Sequence, residues 1–131
     1  MTAKLSAIRH LLIDMDGVMY RGKTALPGAA ELLDFLRDHG MSYLLVTNNA
    51  TLTPRQFVDR LAGMGLQVAE SCILTSSIAT AAYLSTIAPP GTKVNVVGEQ
   101  GLVEALKQRG FVLAGREAKY VVAVLDKTLT Y

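Results

Sequence analysis

Short apolar runs alternate with amphipathic helical stretches along this chain, and that alternation most limits what it can fold into. Strands separated by helices pair as parallel neighbours, with each helix as the crossover. Residues 8–13 form the first apolar run, residues 43–46 the second and residues 73–75 a short third; residues 94–97 and 121–125 follow. Between the first two, Ala29, Leu32, Leu33 and Leu36 recur at helical spacing, with Pro27 suited to the first turn and Gly40 to the stop. His39 falls in the last turn, where a polar ring suits the helix dipole. Thr53-Pro54-Arg55-Gln56 offers a cap, a first-turn proline and the glutamine of a capping box. Phe57, Val58, Leu61 and Met64 then form a buried face, closed by Gly63 and Gly65. Ser76 or Ser77 is expected to cap a third helix running to about residue 87, and residues 100–109 a fourth around Leu102, Val103 and Leu106. Residues 18–26 read as loop. Pro89-Pro90-Gly91 breaks the pattern and marks a candidate hinge. The expected fold class is α/β with a parallel sheet.

The first apolar run ends at Asp14-Met15-Asp16-Gly17. In open α/β sheets the carboxyl ends of the strands are where ligands bind. Strand periodicity aims Asp14 and Asp16 to one side, although the chain is already turning there. Carboxylates that close repel each other unless a cation intervenes or one holds a proton. The pair therefore suits bound magnesium and proton donation. Gly17 permits a sharp departure from the strand. The second run ends in Thr47-Asn48-Asn49, where a hydroxyl and turning backbone amides can hold phosphate oxygens, and Thr75 ends the third run in the same layer. Each feature alone has a plainer reading: Asp-x-Asp as a turn or cap, Thr-Asn-Asn as an ordinary strand-to-helix turn, and Gly98-Glu99-Gln100-Gly101 as a simple turn rather than an anion nest. His10 and the scattered Met and Tyr residues read as structural. The functional case rests on the constellation.

Taken together, Asp14-Met15-Asp16-Gly17-Val18-Met19-Tyr20-Arg21-Gly22 resembles the first motif of haloacid dehalogenase-type phosphatases. Pro27-Gly28-Ala29 and Val46-Thr47-Asn48-Asn49 are similar to the branch that includes NagD-like, p-nitrophenyl phosphatase-like and phosphoglycolate or pyridoxal phosphatases. The resemblance covers the whole chain and is weakest after Pro90. It implies a Rossmann-like core over residues 1–88 and the start of an inserted α/β cap over residues 89–131. It implies that Asp14 attacks phosphorus, that Asp16 protonates the leaving alcohol and later activates water, and that Thr47 hydrogen-bonds the phosphoryl group. Asn48, through its backbone, and Asn49 would orient the substrate, a small phosphorylated metabolite. Magnesium would be held by the Asp14 carboxylate and the Asp16 backbone carbonyl.

The family site also uses a lysine and a second acidic motif, and neither is visible here. Lys93, Lys107, Lys119 and Lys127 follow the candidate hinge, and Glu99, Glu104, Glu117 and Asp126 are dispersed. The stretch from Asp126 to Thr130 resembles the approach to another helix. The expectation is a truncated chain, inactive or weakly active alone, whose first strand becomes a sheet edge and favours self-association, a dimer in the simplest case. A non-catalytic assembly module on the same fold is the main alternative; a receiver-type phospho-accepting domain is a lesser one. With 13 Lys and Arg against 11 Asp and Glu and no basic run, nucleic acid is not an expected partner. The single Cys72 excludes an internal disulfide, and no run suits a signal peptide or a membrane span, so the expected location is the cytoplasm.

Overall fold

The computed structural model describes residues 7–127. Its elements, in order, are β1 (His10–Asp14), β2 (Tyr20–Arg21), β3 (Thr24–Ala25), α1 (Ala29–Asp38), β4 (Ser42–Thr47), α2 (Pro54–Ala62), β5 (Ile73–Thr75), α3 (Ser76–Ile87), β6 (Lys93–Val97), α4 (Gln100–Gln108), β7 (Val112–Leu113) and β8 (Tyr120–Ala123). Two parallel three-stranded sheets result, ordered β1-β4-β5 and β7-β6-β8, with β2 and β3 paired as a separate antiparallel hairpin. The α/β reading with parallel sheets therefore holds.

Side-chain alternation decides which sheet face is covered. On β1, Leu11 and Ile13 turn to the core, and His10, Leu12 and Asp14 turn away. Ile13, Leu45 and Ile73 meet Leu33 and Leu36 of α1 and Phe57 and Leu61 of α2 in one buried cluster. The other face leaves Leu12 76% exposed. Among the described residues β1 pairs only with β4, so its outer edge presents unpaired backbone groups. A second cluster joins Ala81 and Leu84 of α3 to Val94, Leu102, Leu106 and Val122. The chain thus passes from one core to the other along α3, whose contribution to the second cluster starts ahead of Pro89-Pro90-Gly91.

Local signals explain the helix ends. Thr53 and Gln56 form the full capping box, with Pro54 in the first turn of α2. Gly40, at φ 61°, closes α1: its amide donates to Arg37 and the Met41 amide to Leu36. His39 caps the same helix, with Nδ1 2.8 Å from the Phe35 carbonyl oxygen and its ring stacked on Phe35.

Several expectations are corrected. Residues 18–26 are not all loop, since β2 and β3 form a hairpin around Gly22, too short for side-chain alternation to signal. The two-residue β7 escaped for the same reason. α1 begins after a left-handed Gly28, which leaves Pro27 outside the first turn. Thr75, not Ser76 or Ser77, caps α3, accepting from the Ile78 amide. The stretch from Asp126 to Thr130, expected to approach another helix, is described only as far as Lys127, and residues 128–130 lie outside the described residues. No helix among the described residues is long and apolar enough to cross a membrane.

Candidate active site

The acidic motif is held by alternate burial. Met15, Met19 and Tyr20 are completely buried, while Asp14, Asp16, Gly17 and Val18 stay exposed. Burying three large side chains stabilises the turn by several kcal/mol, on the order of 1.5–3 per side chain. That anchors a tight reversal in which the Met19 and Tyr20 amides both donate to the Met15 carbonyl, at 3.0 and 3.3 Å. Gly17 adopts φ 83° and donates to the Tyr20 carbonyl at 2.8 Å. An added Cβ would meet no atom there, so glycine is required by conformation rather than space.

Asp14 closes β1 beside Val46 of β4. The Met15 amide donates to the Val46 carbonyl at 3.2 Å and to Asp14 Oδ1 at 2.8 Å, which fixes the carboxylate at the strand end. Asp14, Asp16, Asn48, Leu12 and Val46 line one open cleft of about 620 Å³. The structure therefore brings Asp14, Asp16 and Asn48 together, with Gly17 next to Asp16.

Thr47 and Asn49 occupy different places. Thr47 is buried, and its hydroxyl oxygen accepts from the Asn49 amide at 3.1 Å. That bond leaves the hydroxyl proton available to an acceptor. Asn49 Oδ1 accepts from both the amide and the hydroxyl of Thr51, at 2.9 and 2.8 Å, so its carbonyl shapes the loop. Ser76 donates to the Asn48 carbonyl and Ser77 to the Ala50 carbonyl, each at 2.9 Å. These two serines, expected as caps, instead tie the Asn48 loop to α3. Thr75 is committed to the helix cap.

The donor set fits a small hard cation. Carboxylate and carbonyl oxygens suit magnesium, which commonly uses only one or two carboxylates and keeps water and phosphate oxygens as its other ligands. Among the described residues no group of three His, Cys, Asp or Glu side chains assembles, so any such ion would rest on the Asp14–Asp16 motif.

Sequence reasoning passed over Tyr20. Its side chain is wholly buried, with the Arg60 guanidinium 4.9 Å from the ring centre, yet its hydroxyl has no hydrogen-bond partner among the described residues. Burial first, and the Asp16 carboxylate second, push the phenol above its ordinary pKa, so it keeps its proton. Its place inside the acidic motif was the available signal.

Comparison with known proteins matches residues 11–112 to the haloacid dehalogenase-like hydrolase model. The chain is 37% identical over 127 residues to the 5'-nucleotidase YutF of Bacillus subtilis, covering 97% of this chain and 49% of that protein. It superposes on NagD from E. coli K-12 with a TM-score of 0.86 at 32% identity, covering 95% of this chain and 49% of that one. It superposes on the glycerol phosphate phosphatase Rv1692 of Mycobacterium tuberculosis, solved with magnesium, with a TM-score of 0.85 at 27% identity, covering 95% and 38%. This chain spans about half the length of the curated relatives it matches.

Proposed function

We propose, on the premise that this chain belongs to the haloacid dehalogenase-like hydrolases, that it carries the nucleophile-bearing part of a magnesium-dependent phosphomonoesterase site. The observation that carries this reading is the meeting of Asp14, Asp16 and Asn48 in one open cleft at the carboxyl end of a parallel sheet. The names of its relatives, a 5'-nucleotidase and a glycerol phosphate phosphatase, support a small phosphorylated metabolite as substrate.

An Asp14 carboxylate oxygen attacks phosphorus as the bond to the leaving oxygen breaks, giving an aspartyl-phosphate. Asp16 donates its proton to that leaving oxygen. Asp16 then takes a proton from water as the water oxygen attacks phosphorus, releasing phosphate and restoring Asp14. Thr47 offers its hydroxyl proton to a phosphoryl oxygen, and the Asn48–Asn49 backbone orients the substrate. Magnesium would be held by the Asp14 carboxylate and the Asp16 carbonyl, where it supplies positive charge that offsets the repulsion between carboxylate and phosphate. Incubated with an aryl phosphomonoester and magnesium, the chain is expected to release phosphate, weakly, and to stop when the metal is chelated. Release that continues unchanged under chelation would refute the metal requirement.

A second reading, an assembly module without turnover, is favoured by the edge of β1 left open among the described residues. Both readings share one expectation. The open edge of β1, with Leu12 exposed beside it, should pair with a second copy. Light scattering is expected to show a dimer; a monodisperse monomer at all concentrations would contradict it.

A further inference from the structure

We infer that Tyr20 is a positioning residue for Asp16: its buried, unpartnered hydroxyl donates to one oxygen of the Asp16 carboxyl group and leaves the other facing the cleft. Completely buried hydroxyls almost always find a partner, so an orphan within this tightly hydrogen-bonded turn calls for one. The backbone already joins the two residues. Asp16 and Tyr20 form a β-bridge, and the Gly17 amide between them donates to the Tyr20 carbonyl at 2.8 Å. The ring cannot move to seek another acceptor. It is enclosed by the first core and has Arg60 over one face, and Arg60 is itself held by a 2.8 Å bond to the Gly22 carbonyl. Asp16 is exposed and can turn. Of the two carboxylates that raise the phenol's pKa, Asp16 acts more strongly than Asp14, which with the β-bridge marks it as the acceptor.

The inference rests on the acid–base role proposed for Asp16 and adds its geometry. A carboxyl group has two oxygens, and only a proton on the one facing the substrate is useful. A phenol donating to the inner oxygen makes that oxygen the acceptor and assigns the transferable proton to the outer one. Tyr20 itself neither gains nor loses a proton in the reaction.

Tyr20→Phe tests this, because it keeps the ring in the core and removes only the hydroxyl. Three-bond couplings of the Asp16 β-protons, measured by NMR on the whole chain, report its χ1 angle. One rotamer is expected in the original protein and averaging in Tyr20→Phe, with the amide spectrum of the core unchanged. Identical couplings in the two proteins would overturn the inference. A second arm compares an alkyl phosphomonoester with p-nitrophenyl phosphate, whose leaving group departs without a proton. Asp16→Asn should slow the alkyl ester by about 10²–10⁴-fold more than the aryl ester, as expected for loss of a general acid. Tyr20→Phe should slow it selectively by roughly tenfold, in kcat rather than KM. If Asp16→Asn shows no such selectivity, the acid role of Asp16 is what fails. If Asp16→Asn shows it and Tyr20→Phe does not, the role of Tyr20 is what fails.

Discussion

Asp14→Asn is expected to abolish whatever phosphate release the chain supports while leaving its fold unchanged. An amide in place of the carboxylate is not nucleophilic, and removing the nucleophile of a covalent mechanism costs about 10⁴-fold or more in kcat. The fold should not notice. Asp14 is exposed at the end of β1, and its one side-chain bond among the described residues, from the Met15 amide to Oδ1, can be accepted equally by an asparagine oxygen. Exposed substitutions of this kind change stability by no more than about 0.5 kcal/mol. Phosphate release and the urea midpoint, measured on the same sample, separate the two effects. An unchanged rate would remove Asp14 from the mechanism.

Gly101→Ala should destabilise the chain more than any other glycine-to-alanine change in it. A Cβ at residue 101 would lie 2.5 Å from the Leu52 carbonyl oxygen and 2.6 Å from that of Ala50. Both obstacles are backbone, and the Gly101 amide donates to the Thr51 carbonyl in the same contact. No rotamer change relieves the clash, so either α4 withdraws or the 50–52 loop moves. Overpacking of this sort costs about 1–3 kcal/mol. Because Ala50 also accepts from Ser77, and Thr51 is bonded to Asn49, the disturbance should spread to the loop that presents Asn48. Gly98→Ala is the comparison. There the close atoms belong to the side chains of Val124, at 2.6 Å, and Leu102, at 3.2 Å, which can turn aside. A urea midpoint for Gly101→Ala equal to that of the original protein would contradict the close packing of α4 on this loop.

The same glycine shows where the sequence stops being readable. Gly98-Glu99-Gln100-Gly101 reads as a simple turn, but only Gly98 bends: Glu99 is the N-cap of α4, and Gln100 and Gly101 are its first helical residues. That Gly101 is glycine because another backbone presses on it depends on a contact nearly fifty residues away in sequence, which no local pattern encodes. The elements built on local signals were legible: the capping box of Thr53 and Gln56, the glycine closure after His39, the apolar stripes of α1 and α2. So were the acidic pair and its place at a strand end, because the apolar run and the motif adjoin. Thr47 and Asn49 were legible as a possible phosphate-holding turn from their place at a strand end, and their individual roles only by resemblance. The structure adds that their side chains shape the loop, and that Asn48 is the member lining the cleft. Ser76 and Ser77 were misread as caps because serine caps and serine-to-carbonyl ties look alike until the partner loop is placed. Tyr20 was hidden by its own burial, since a tyrosine that follows Val18 and Met19 reads as core.

The central claim is that Asp14 accepts a phosphoryl group with the help of a divalent cation. Trifluoroberyllate is a tetrahedral phosphoryl mimic that bonds to a carboxylate, and its binding needs no turnover. Fluorine NMR of the chain with trifluoroberyllate and magnesium is expected to show a bound signal that disappears in Asp14→Asn and on chelation. A bound signal that survives in Asp14→Asn, or none in the original protein at saturating magnesium, would contradict the account.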